Sequence, residues 1–471
     1  MKEDYNSERH WGRIIVLSII AALLIGVGIF FYYSFFKQTK SELIEAIPTD
    51  AVFLYEVNDN TSFTEDMSPL LPYFNELTAM DALPAFETMH NALPAGKYDI
   101  TISGHPQDNG TVLLFNMHTD KASFKHLLRA LSIDPANCET FEQQKIYSYG
   151  TNYKNLYFVF FNHILSITTS KDLLKRSIIQ HLHPKNLLSD GDFKRLYDLA
   201  EKNKKQNWLF LSATYLDGLG NYFNAKSANT IKSIKSLANW GAFQIRMSGN
   251  DIFLSGYTPA NDKLLKRFSN LSAEKNIPED LLPYHTVWYE YLELAQYDVC
   301  HFALPQDSIS TYSYLLARYD TLSNSYSPFA NTQHADDVRA AYPNGIFPVN
   351  DSILLPEGST FDTNHYKAFI HKGNAYIFAT SENAISAFMQ DLATTGNLGE
   401  NRFYKFAKGN IASSNLIEFT LYNTDKKTLA PLLNNQGMST KFGQDLRIFS
   451  LTLSNITDDY AVVNIYLNFI K

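Results

Sequence analysis

The longest apolar stretch in the chain runs from Ile14 to Phe36, IIVLSIIAALLIGVGIFFYYSFF, 23 residues without a charge. As an α-helix it would extend roughly 34 Å, enough to cross a hydrocarbon layer about 30 Å thick. A cleaved leader fits less well, because leader cores are shorter and end at a small-x-small site. This run ends instead in Phe30, Phe31, Tyr32, Tyr33, Phe35 and Phe36, rings suited to a lipid–water boundary. The pattern predicts a transmembrane helix over 14–36, a short cytoplasmic tail over 1–13, and the bulk of the chain on the far side. Lys2, Arg9 and Arg13 precede the run while Lys37 and Lys40 follow it, a small excess that favours an inside amino terminus.

Beyond Lys40 the pattern changes to short alternating runs, and it recurs. FVFFNHILSITTS, from Phe158 to Ser170, and FIHKGNAYIFATS, from Phe369 to Ser381, each read as strand, turn and strand closing on Thr-Ser. A helix is predicted after both. Ser170 and Ser381 stand where N-caps belong, and Asp172 and Glu382 fall in the first turn, where the helix dipole favours negative charge. Leu173, Leu174, Ile178, Ile179 and Leu182 make the apolar stripe of the first copy. Ala384, Ile385, Phe388, Met389 and Leu392 make that of the second.

The likeness extends further in order. Leu187 to Ala200 matches Asn397 to Gly409, with Phe193 against Phe403. Strands from Asn207 and Asn415 follow, then closing hairpins from Gly241 and Arg447. The openings, IPTDAVFLYEV from Ile47 and LLPYHTVWYEYL from Leu281, are also alike. Several matches in one order predict an internal repeat. The expected fold class is α+β: two similar tandem units, 45–260 and 275–471, each an antiparallel sheet with helices packed on one face, after the N-terminal transmembrane helix.

An anchor, an IPTDAVFLYEV opening strand and a hairpin–Thr-Ser–helix block together resemble a broad group of bacterial envelope proteins. These have a single N-terminal membrane anchor and an extracytoplasmic domain of unknown function. The resemblance covers most of 45–471 and rests on apolar and turn residues. It implies a single-pass protein of the inner membrane, its bulk periplasmic. It carries over no catalytic residue.

Composition narrows the partners. Apolar residues are 45% of the chain, which makes it globular rather than disordered. The 29 Tyr and 33 Phe read as sheet-core residues before they read as a ligand groove. A net charge of −8, without a basic stripe, argues against nucleic acid. The expected partners are the lipid bilayer, through the N-terminal helix, and an envelope protein. Cys138 and Cys300 are too few for a disulfide framework and read as separate buried thiols, with pairing left open. Asn60, Asn109, Asn270, Asn350 and Asn455 open Asn-x-Ser/Thr triplets, which matter only in a eukaryotic secretory route.

Motifs that carry chemistry are weak. No His-Glu-x-x-His, Cys-x-x-Cys, Gly-x-Ser-x-Gly or phosphate loop occurs. His181 and His183, with His163, have metal-ligating chemistry, but their place before Pro184 reads as an ordinary helix end. Ser272 and Lys275 fit Ser-x-x-Lys without its supporting elements. Asp351, Asp362, Asp458 and Asp459 lack the spacing of a calcium loop. The expectation is therefore no catalytic, cofactor or metal site. The favoured function is a non-catalytic binding or scaffold module of the envelope; the alternatives are an envelope hydrolase and a carrier of lipid or other hydrophobic cargo.

Overall fold

The computed structural model describes residues 41–57, 86, 88–89, 91–94, 98–107, 110–150, 155–183, 185–202, 207–212, 239–259, 271, 276–294, 297–306, 311–320, 328–329, 335–349, 365–411, 415–422, 445–457 and 459–469. These fall into two compact units, the first ending at Pro259 and the second taking the described residues from Leu271 onward.

The first unit holds strands β1 (Phe53–Val57), β2 (Ile100–Gln107), β3 (Gly110–His118), β4 (Glu139–Phe141), β5 (Gln144–Gly150), β6 (Asn155–Phe161), β7 (Ile164–Thr168), β8 (Trp208–Ser212), β9 (Trp240–Ser248) and β10 (Asp251–Pro259). Its helices are α1 (Ser41–Glu45), α2 (Lys121–Ala130), α3 (Lys171–Leu182) and α4 (Gly191–Glu201). Among the described residues its strands pair antiparallel, in the order β10-β9-β8-β1-β2-β3-β7-β6-β5-β4.

The second unit holds β11 (Trp288–Glu293), β12 (Tyr297–Pro305), β13 (Thr311–Tyr319), β14 (Ile346–Pro348), β15 (Ala368–Lys372), β16 (Ala375–Ala379), β17 (Ile417–Tyr422), β18 (Leu446–Ile456) and β19 (Tyr460–Phe469), with helices α5 (Ala335–Ala341), α6 (Glu382–Thr394) and α7 (Arg402–Lys408). Its order is β19-β18-β17-β11-β12-β13-β16-β15-β14, again antiparallel throughout. Each unit therefore places its first strand mid-sheet and runs a hairpin, helix, 3-10 turn, helix, strand and closing hairpin in the same succession.

The α+β class expected from the sequence is corrected by the strand content. Among the described residues 47% are strand and 26% helical, so the fold is mostly β. The helices cover parts of an antiparallel sheet and do not form a layer equal to it. Strands β2, β3, β4, β5, β12 and β13 account for the difference, because the central ones are buried on both faces and lack the alternation that reveals a half-exposed strand. No helix among the described residues is long and apolar enough to cross a membrane. Residues 14–36, the segment read as a transmembrane helix, lie outside the described residues.

Local chemistry explains the elements. The β6–β7 hairpin turns at Asn162 and His163, with φ of 45° and 64°, the paired left-handed residues of a tight hairpin. Ser170 Oγ accepts from Leu173 N at 3.3 Å and caps α3; Ser381 Oγ accepts from Ala384 N at 3.2 Å and caps α6. Asp190 and Asn401 cap α4 and α7 in the same way. Under α3, Leu173, Leu174 and Ile178 pack with Leu43, Leu114, Val159, Phe161 and Ile164. Each fully buried side chain of this kind contributes about 1.5–3 kcal/mol. The predicted stripe is narrower than expected: Ile179, Leu182 and Met389 are exposed, because only the arc facing the sheet is covered.

Tight approach of strands gives a first test. A Cβ on Gly256 would overlap the Ala242 carbonyl across the β9–β10 ladder, whereas one on Gly191 would meet nothing. Gly256→Ala should cost about 1–3 kcal/mol in urea unfolding, because backbone cannot yield as a flexible side chain does. Gly191→Ala should leave the midpoint nearly unchanged.

Candidate functional site

Alternation along β2 sends Thr101, Ser103 and His105 to the side of the sheet on which α3 lies. Residues two apart on a strand are neighbours on one face, and Ser103 Oγ is 2.8 Å from His105 Nε2. The other ring nitrogen, Nδ1, is 2.9 Å from Asp50 Oδ1, supplied by the turn before β1. The second carboxylate oxygen, Asp50 Oδ2, accepts from Arg176 Nη1 on α3. An ionised Asp50 accepts from Nδ1–H, which assigns Nε2 as acceptor of the Ser103 hydroxyl.

Burial pushes the His105 imidazole below its ordinary range, against the pull of Asp50, and keeps it neutral. Burial also acts to raise Asp50, but hydrogen bonds and charge from His105 and Arg176 outweigh it and hold the carboxyl at about 2. The result is an ion pair, Asp50 with Arg176, relayed through a neutral histidine to a serine.

This is the nucleophile–base–orienter order of a serine hydrolase. Its setting differs from one. Ser103 and His105 are both 0% exposed. Ser103 sits mid-strand, with Leu54 of β1 and Leu114 of β3 as its partners on either side. An acyl donor needs a path to the serine oxygen and donors aimed at the developing oxyanion. What surrounds this relay instead is a set of ties between α3 and its neighbours. Gln107 Nε2 donates to Ser170 Oγ at 2.8 Å, and Ser177 Oγ donates to the Ala46 carbonyl at 2.6 Å.

The second unit places different chemistry at matching positions. Val52 N and Ser212 N bond Gly104 O and Val52 O, as Val287 N and Tyr422 N bond Ala303 O and Val287 O. That register equates Asp50 with His285. His285 Nδ1 lies 2.6 Å from Asp391 Oδ1 on α6, and its backbone N–H donates to Oδ2 at 3.2 Å. Buried acids line the strands of this unit. Glu418 accepts from Tyr289 Oη, from Asn415 Nδ2 at 2.7 Å and from Thr420 Oγ1 at 3.1 Å. Burial nevertheless raises its pKa above the ordinary carboxyl value. Asp298 is clasped by Arg318 through Nε at 3.0 Å and Nη2 at 2.5 Å.

The residues singled out from sequence lie elsewhere. His163 is exposed in the β6–β7 turn, and it is Asn162 whose Nδ2 approaches His181 Nε2, at 3.3 Å. His183 follows α3 as its exposed C-cap. No group of three metal-ligating side chains occurs among the described residues. Ser272, Lys275, Asp351, Asp362 and Asp458 lie outside the described residues, and Asp459 is exposed at the β18–β19 turn. Cys138 and Cys300 are unbridged, the first part-exposed and the second buried in β12. Of the asparagines in Asn-x-Ser/Thr triplets, only Asn455 is described, and it is exposed on β18. Sequence reasoning missed Asp50, Ser103, His105 and Arg176. The available signal was Ser-x-His within ITISGHPQ, which becomes informative once that segment is read as a strand.

No family model matches this chain, and no curated protein matches it. Among solved structures it is similar to one described as crystal form I of TP0453, at 9% identity and a TM-score of 0.26, over 49% of this chain and 85% of that one. A likeness so slight carries no argument about fold or function.

The relay makes a prediction about acid. Asp50 titrates at about 2 in the folded chain against 3.8 ordinarily, so its contribution is complete above 3.8 and is lost as pH falls through about 2. Asp50→Asn should lower the urea midpoint at neutral pH and flatten the acid limb of stability over that window. An acid limb unchanged by the substitution would count against the pairing.

Proposed function

We propose that this chain is a non-catalytic binding or scaffold module of the bacterial cell envelope, held at the membrane by its apolar segment 14–36. The observation that carries the reading is the full burial of Ser103 and His105, with the outer carboxylate oxygen of the half-buried Asp50 taken by Arg176. Groups with catalytic potential are committed to holding a helix on a sheet. Supporting it, the corresponding tie in the second unit uses His285 and Asp391 with no serine in the relay. The tie is kept while the order of groups needed for acyl transfer is not. The membrane part of the reading rests on the length and apolarity of 14–36. The envelope part rests on the resemblance of the opening strand and the hairpin–helix block.

A fluorophosphonate probe, which captures activated serines, tests the central claim. The full chain should remain unlabelled, and labelling at Ser103 that disappears in Ser103→Ala would establish a hydrolase instead. Fractionation tests the tether. The full chain should stay with carbonate-washed membranes, and deletion of residues 14–36 should release it. Retention of the deleted form would remove the anchor from that segment.

A further inference from the structure

The register that equates the two units exposes a difference on the other sheet face. Glu290, His301 and Ser313 in the second unit occupy the positions of Tyr55, Ile102 and Leu113 in the first. A backbone of this kind therefore does not require polar groups there. Glu290 is 4% exposed, and its Oε2 is buried without a hydrogen-bond partner among the described residues. Trp288, two residues earlier on the same face, likewise buries its indole Nε1 without a partner.

The groups around Glu290 offer little help to a negative charge. Its cross-strand neighbours are His301 on β12 and Phe419 on β17. His301 Nε2 lies 2.9 Å from Ser313 Oγ on β13, and the His301 ring meets Trp288 edge-on at 4.8 Å. Leu315 on β13 and Leu451 on β18 continue the same face. Tyr366 stands 6.5 Å from the His301 ring. Among the described residues this face carries the titratable groups His301, Tyr366, Tyr297, Tyr319, Tyr376 and His371, with Arg339 of α5 over Phe329 beside Phe369, while Asp298, Cys300 and Glu418 sit on the opposite face by strand alternation. A carboxylate left in such surroundings costs several kcal/mol unless it is protonated, paired or reached by water.

We propose that Glu290 is a proton-operated latch of the second unit: with its proton in place the β11–β12–β13 face stays closed, and release of that proton to solvent loosens the face to admit water. Burial is the sole cause that lifts this carboxyl, to about 8 from an ordinary 4.5. Between those values the folded unit holds a proton that the unfolded chain has lost. Stability therefore falls as pH rises through the window, and it levels off above it. The first unit carries Tyr55 at this position and has no such latch.

Hydrogen–deuterium exchange on the full chain tests the latch at pH about 6 and about 9, after correction for intrinsic exchange; peptides over 288–304 should lose protection by about tenfold or more at the higher value. Peptides over 53–57 and 100–107 should not change in step. Glu290→Gln stays neutral and should keep 288–304 protected at both values. Where that variant does not fold, Glu290→Leu, apolar like its surroundings, should do the same. Equal protection of the wild-type chain at both values would overturn the proposal. So would loosening of both units together, or a pH response that persists in the neutral variant.

Discussion

The constraint on which the rest depends is desolvation. The central strands of both units are buried on both faces, so a polar side chain placed on them cannot fall back on water. β1 is buried along its whole length, as are β11 and β17. A buried polar group without a partner costs about 1–3 kcal/mol, and a charge costs more. Each polar residue on these strands must then be paired by a neighbouring strand or helix, or else be held neutral. In the first unit Ser103, His105 and Ser166 follow the former course, bonded within the sheet or to the turn before it, while Thr101 stays neutral. The second follows both, with Asp298 clasped by arginine and Glu290 neutral.

The same constraint explains why helix and sheet are joined by polar ties as well as by packing. α3 lays Leu173, Leu174 and Ile178 on the sheet, a contact that is strong but non-directional. Gln107 to Ser170, Arg176 to Asp50 and Ser177 to Ala46 fix position along and around the helix axis. Packing supplies most of the free energy, and the ties select one seating among several that would bury similar area. The exposed flank of Ile179 and Leu182 shows that apolar area alone does not set the helix rotation.

Much of this architecture was legible in local sequence. The Thr-Ser hairpins at 158–170 and 369–381, the serine caps and the closing hairpins follow from turn chemistry and from alternation on half-covered strands, both of which act within a few residues. The class is misread because β2 and β12 interrupt apolar runs with Ser103, His105, Asp298 and His301, residues that read as loop until the cross-strand partners are known. The site was illegible for a related reason. Ser103 and His105 are close in sequence, but Asp50 lies 55 residues from His105 and Arg176 lies 126 from Asp50. Only the mid-sheet position of β1 between β2 and β8 brings that turn against α3.

Comparing the two ties shows what the fold retains. Asp50 and His285 occupy one register position, two residues before Val52 and Val287. Asp50 is an anion that meets a cation on α3; His285 meets an anion on α6, one helical turn further along than the position matching Arg176. Residue type, partner identity and partner position all differ, yet in each unit the loop entering the central strand is pinned to the capped helix. Chemistry aimed at a substrate would depend on which group carries the proton and which accepts it. An architectural tie depends only on a donor and an acceptor meeting across a fixed gap, and a change of the residues that supply them leaves it intact. The pair of ties is therefore what helix anchoring requires, and more than a proton relay would tolerate.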